Sequence, residues 1–94
     1  MATFIMAMTI NPSAKKEHAD LSKQINESLD LFAEHGVKIQ HLYATMGRYD
    51  IIAVFDAPDQ TLAFKVASQV ATRGILETET WAVIPFDDFT ELLG

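Results

Sequence analysis

The run Thr45-Met46-Gly47-Arg48-Tyr49-Asp50 constrains this chain more than any other, because an isolated glycine there separates two runs that read as β-strands, Val37 to Met46 and Tyr49 to Asp56. Glycine tolerates positive φ at the first central position of a type II′ turn, so Gly47-Arg48 reads as a two-residue hairpin loop. Such a turn sets the register. Met46 then faces Tyr49, Ala44 faces Ile51 and Leu42 faces Ala53, on one sheet face with Phe55. The other face carries Ile39, His41, Tyr43 and Thr45 beside Asp50, Ile52 and Val54.

Upstream, Thr3 to Ile10 alternates with apolar residues on both sides, the pattern of a strand covered on both faces. Asn11-Pro12-Ser13 offers a helix start, since proline at the first helical position sacrifices only an amide that has no intrahelical partner. Leu21, Ile25, Leu29 and Phe32 follow on one helical stripe, and His35-Gly36 closes the helix. Downstream, Ala57-Pro58-Asp59 opens a second helix with a Leu62, Val66 and Val70 stripe, and Arg73-Gly74 ends it. Ile75 to Ile84 alternates as a fourth strand. Pro85 stops it, and Phe86 to Leu93 reads as a short tail of about one helical turn, with Phe89, Leu92 and Leu93 as apolar anchors. The 94 residues form one domain, with no linker or repeat between its parts.

Several functions are excluded by composition. Thirteen acidic against seven basic residues give a net charge of −6, which repels phosphate backbones and anionic lipid, so neither nucleic acid nor membrane is an expected partner. Lys15-Lys16 is the only adjacent basic pair. Without cysteine there is no disulfide, thiolate nucleophile or Cys-ligated metal. Met1 to Ile10 is apolar but lacks a basic leader region and is too short to span a bilayer; the expectation is a cytoplasmic protein. Three isolated histidines, His18, His35 and His41, lack the spacing of a metal site, and phosphate-loop, dinucleotide and nucleophile-elbow motifs are absent. No cofactor is expected.

The element order βαββαβ with a tight central hairpin is that of a ferredoxin-like α+β sandwich, an antiparallel sheet ordered 4-1-3-2 with both helices on one face. The second face is then bare in a single chain. Ile39, Ile52, Val54, Trp81 and Val83 fall on it, and the physical remedy for such an apolar patch is another subunit, so a homo-oligomer is expected. The same face receives the polar candidates His41, Tyr43, Asp50, Glu77 and Glu79. An imidazole and carboxylates in a dry cavity can titrate near neutral pH, while Trp81 and Tyr43 offer flat walls to a small ligand. Those residues can equally be structural, with His41 and the glutamates on edge strands and Asp50 bracing the hairpin. His41 and Glu79 lie three strands apart, about 14 Å, so one subunit cannot bring them together.

Residues 37 to 56, through Gly47-x-Tyr49-Asp50, together with Ala57-Pro58-Asp59, Arg73-Gly74 and Thr78-Glu79-Thr80, resemble the signature of the GYD domain family. The likeness covers the last three-fifths of the chain. The first third departs from the family pattern, which has a threonine followed closely by a glycine after strand one, because here Thr9-Ile10-Asn11-Pro12 enters the helix directly. The resemblance implies a relative of the dimeric α+β barrels, in which two sheets pack face to face. It brings no catalytic residues; Tyr43, Thr45, Tyr49, Asp50, Thr78, Glu79 and Thr80 carry over as motif positions only.

His41, Tyr43, Thr45, Tyr49, Asp50, Glu79 and Trp81 are therefore the candidate ligand-binding set. The first functional reading is a homo-oligomeric small-molecule-binding or interaction module without chemistry of its own. A cofactor-free oxygenase or isomerase using His41 and Tyr43 in an interface cavity is the alternative, and an intersubunit metal sensor is a third.

Overall fold

The computed structural model of the protein describes residues 1–17 and 19–94, so the expectation for His18 falls outside the described residues. β1 (Ala2–Ile10) lies inside a four-stranded sheet, paired on one side with β3 (Ile51–Ala57) and on the other with β4 (Leu76–Val83). β2 (Ile39–Ala44) pairs with the outer side of β3. Every pairing is antiparallel and the order is β2-β3-β1-β4, the ferredoxin-like 4-1-3-2 arrangement read from the opposite edge.

Alternation along β1 divides the two sheet faces. Phe4, Met6 and Met8 are buried on the helix side with Ala53, Phe55 and Leu76. Ile5, Ala7 and Thr9 point the other way, beside Ile52, Val54, Trp81 and Glu79. Phe55 anchors the core, its ring stacked on Phe4 at 5.6 Å and edge-on to Phe32 at 5.1 Å. The helix-side stripe forms as its spacing predicts: Leu21, Ile25 and Leu29 are packed against the core and Phe32 is buried.

The single first helix expected from Asn11 to His35 is instead two, α1 (Pro12–Glu17) and α2 (Leu21–Glu34). Ala19 and Asp20 form a turn, and Asp20 has non-helical φ and ψ of −105° and 56° at the head of α2. Ala14 of α1 is buried in the core, and the α2 stripe packs against the same core. α3 (Gln60–Thr72) begins as anticipated, the Asp59 carboxylate accepting the Leu62 amide at 2.9 Å. α4 (Phe86–Leu93) is a helix of eight residues rather than one turn, and its expected anchors are not buried: Phe89, Leu92 and Leu93 are all exposed.

The hairpin keeps the predicted register but not the predicted loop. Ala44 pairs with Ile51 and Leu42 with Ala53. Past these the last backbone bond runs from the Thr45 amide to the Asp50 carbonyl at 2.9 Å, leaving residues 46 to 49 as a four-residue loop. Met46 and Tyr49 thus never pair as strand residues. Gly47 has φ of 108°, in the region expected from the sequence. A β-carbon there would meet nothing within 4 Å, so the penalty for a side chain is purely one of backbone. Gly47→Val should lower stability by about 1–2 kcal/mol, measured as a shift in urea midpoint without a change in slope.

A second correction lies at the other end of the hairpin. The register shifts between Ile39 and His41, so Ile39 pairs with Phe55 while His41 pairs with Val54. Gln40 is the extra residue of a β-bulge, and it turns Ile39 from the bare face to the core.

Candidate functional site

Among the described residues nothing forms a layer over the face away from the helices. Ile5, Ile52, Val54, Trp81 and Val83 stand on it half-buried, and Ala7 at its centre is fully buried by its neighbours. Polar groups surround this apolar centre and fall into three clusters.

The first cluster joins the hairpin loop to β4. Having left the ladder, Tyr49 swings over the bare face instead of following strand parity to the core side, where the expected register put it. Its hydroxyl donates to Glu79 Oε2 at 2.6 Å, and the Trp81 indole donates to Glu79 Oε1 at 2.9 Å. The two rings meet edge to face at 5.9 Å, and the Arg48 guanidinium lies 5.7 Å from the Tyr49 ring centroid. Beneath them is a depression of about 260 Å³ lined by Ala7, Thr9, Glu77 and Glu79. Thr45 holds the loop from behind, its hydroxyl donating to the Tyr49 carbonyl. Four of the candidates, Thr45, Tyr49, Glu79 and Trp81, are thereby brought into one connected group.

The electrostatics of this group follow from its hydrogen bonds. The donated phenol proton, and then that of the Trp81 indole, hold the Glu79 carboxyl below its ordinary range, with Arg48 adding in the same direction. The bond to Glu79 holds the Tyr49 phenol above its ordinary value, aided by desolvation and the carboxylate charge and opposed by Arg48. Both shifts lead away from neutrality. The shared hydrogen bond ties the hairpin loop to β4.

The pH dependence has a definite sign. The depressed Glu79 contributes stability above its unfolded pKa, near 4.3, and loses it as pH falls through the folded value; the raised Tyr49 contributes below about 10 and loses it as pH rises through its folded value. Tyr49→Phe should therefore move the Glu79 titration upward in a carboxyl-carbon NMR experiment, though not fully, because Trp81 still donates. An unchanged Glu79 midpoint would show that the phenol bond is not formed in solution.

The second cluster is on the edge strand β2. His41 and Tyr43 stack with ring centroids 6.2 Å apart and planes only 10° from parallel, both exposed. Val54 and Ile52 are their strand partners. Glu79 is three strands away on β4, as the sheet order requires, so the two candidate groups occupy opposite margins of one face.

Asp50 stands apart from both. Its carboxylate accepts the Ile10 amide at 2.8 Å and its own amide donates to Met8 at 2.9 Å, which ties the hairpin to the end of β1. Asp50 is therefore the brace of the hairpin. A third polar group, Asp56, was missed by sequence reading: it accepts from the Thr3 hydroxyl at 2.7 Å and from the Gln40 amide, joining three strands at the far end of the face. Its position two residues after Val54 on the same parity was the available signal. Among the described residues no cluster of three or more His, Cys, Asp or Glu could hold a metal. No helix of the described residues is long and apolar enough to cross a membrane.

Comparison with known proteins bears on the fold and the family. The chain is 29% identical over 91 residues, 94% of each chain, to a Thermus thermophilus protein named glutamine synthetase and cystathionine beta-lyase binding protein. Among solved structures, TTHA0845 from Thermus thermophilus superposes with a TM-score of 0.65 at 17% identity, covering 90% of this chain and 95% of that one. Muconolactone isomerase gives 0.61 at 18% identity, with 88% of each chain covered. A feast or famine regulatory protein from M. tuberculosis, solved with L-methionine, gives 0.63 at 10% identity over 90% of this chain and 51% of that one. At these identities the structural likenesses establish the fold alone. The GYD domain profile matches residues 4–93, nearly the whole length, and the chain belongs to the GYD domain family.

Proposed function

We propose that this protein is a non-catalytic binding module that self-associates through the bare sheet face and engages other proteins, enzymes of amino-acid metabolism being the partner class. The observation that carries the first part is the face itself: five large apolar or aromatic side chains at the centre of a sheet, ringed by His41, Tyr43, Glu77, Glu79 and Asp56. An apolar centre inside a polar rim is the anatomy of a protein interface. Two sheets stacked in this way make the dimeric α+β barrel arrangement. His41, Tyr43, Tyr49, Glu79 and Trp81 then line the margins of the space between them, where a small ligand could also be held.

Binding is favoured over catalysis by the setting of His41 and Tyr43, which stack on an edge strand with both rings exposed rather than enclosed in a dry cavity. The partner class rests on the Thermus relative, whose name gives glutamine synthetase and cystathionine beta-lyase as what it binds. Calorimetric titration of the purified protein into each of those two enzymes from the same organism tests this. Saturable binding at micromolar concentration is expected for at least one of them; no heat with either overturns the partner assignment.

A further inference from the structure

A groove on the other side of the sheet lies between α3 and β4 and takes no part in the face described above. It has a volume of about 370 Å³ and is floored by Phe4, Ala63, Ala67, Ala82 and Thr80, with Phe64 on its lip. Ala63 and Ala67 of α3 face Ala82 of β4 across it, leaving a channel along the edge strand where larger residues would have closed it. Phe64 is 72% exposed beside it. The Thr80 hydroxyl oxygen is buried there without a hydrogen-bond partner.

The same chain carries a helix with nothing to pack on. α4 bears Phe86, Phe89, Leu92 and Leu93 and has no buried residue. It cannot reverse onto its own groove without a turn between β4 and α4, and none is made: Pro85 is extended, with φ of −56° and ψ of 145°. The helix instead lengthens the molecule. The long axis reaches 52 Å and the radius of gyration is 14.4 Å, against about 12 Å for a compact chain of this length.

We propose that the apolar face of α4 of one copy seats in the α3–β4 groove of a second copy, with the exchange made reciprocally. This rests on the self-association proposed above and adds a second, separate contact to it. A membrane surface is the poorer occupant for α4, whose polar residues include Asp87, Asp88 and Glu91 and no basic side chain to meet anionic lipid. The area also fits a second copy. With about 200 Å² per phenyl side chain, the exposed parts of Phe64, Phe86 and Phe89 amount to roughly 400 Å² per chain and 800 Å² for the reciprocal pair. Ile84, Leu92 and Leu93, each more than half exposed, carry the total past the roughly 1,000 Å² that a specific interface needs.

Because the chain has no native cysteine, single thiols report the contact cleanly. A mass-tagged Leu92→Cys chain is mixed with an untagged Gln60→Cys chain under mild oxidation, with Lys23→Cys on α2 as the control partner. The expected product is a covalent dimer of mixed mass, at least about tenfold more abundant with Gln60→Cys than with Lys23→Cys. Equal yields while sedimentation shows an associated protein overturn the helix exchange and leave the sheet-face contact standing. A monomer by sedimentation overturns both. An intrachain disulfide in the Leu92→Cys/Gln60→Cys double variant at high dilution assigns the groove to the chain's own helix and overturns the exchange as well.

Discussion

Phe55→Ala is expected to cost about 3–5 kcal/mol, the range for emptying an aromatic site in a packed core. Phe55 is fully buried on β3, next to the centre of the sheet, and its ring is fixed between Phe4 and Phe32. Both neighbours are large and held by different elements, β1 and α2, so neither can move into the space without disturbing the other. A single domain has about 5–15 kcal/mol of stability in all, so the variant should lose between about a fifth and the whole of it. Chemical denaturation followed by Trp81 fluorescence gives the number. Met46→Ala is the matched control, since Met46 is 99% exposed in the hairpin loop and should change stability by no more than about 0.5 kcal/mol.

Ile52→Asp should weaken association by at least about a hundredfold. Ile52 lies on the bare face between Ala7 and Tyr43, its pairing partners on either side. In an isolated chain the residue is half-buried and a carboxylate reaches water, so the domain should fold with an unaltered far-UV spectrum. Beneath a second sheet the same carboxylate is taken out of water among Ile5, Val54 and Trp81, and burying such a charge costs several kcal/mol, with about 1.4 kcal/mol for each tenfold in affinity. A twofold contact presents the substitution twice. Fluorescence-detected sedimentation over a dilution series reads the change. An unaltered dissociation constant would mean that the face is not where copies meet.

Much of this fold was legible because local signals agreed with one another. Gly47 marked the hairpin, the even alternation of Thr3 to Ile10 marked a central strand, and Asp59 marked the head of α3. Where the reading failed, the deciding interaction was not local. Nothing at Gln40 announces a bulge, yet one inserted residue exchanges the faces of everything before it, and Ile39 joins the core. No glycine or proline marks the division between α1 and α2, yet Asp20 takes non-helical φ and ψ at the head of α2. The spacing of Phe89, Leu92 and Leu93 was recognised as apolar, but a single chain supplies no surface for it.

The candidate site divides along the same line. His41 and Tyr43 came together because they are two apart on one strand, and parity suffices for that. Asp50 and Tyr49 are adjacent at the end of the ladder, where parity ceases to hold. One turns to the Ile10 amide and the other crosses the face to Glu79. Strand alternation predicts direction only as long as the ladder continues, and here it ends at the Thr45–Asp50 pair.

Sedimentation equilibrium of the wild-type protein from about 1 to 100 μM tests the central claim, that the bare sheet face is a contact between copies. The account predicts a mass of at least twice the 10.5 kDa of the chain across the upper part of that range, falling toward the single-chain mass in Ile52→Asp at the same concentrations. A wild-type mass of one chain at every concentration would contradict it.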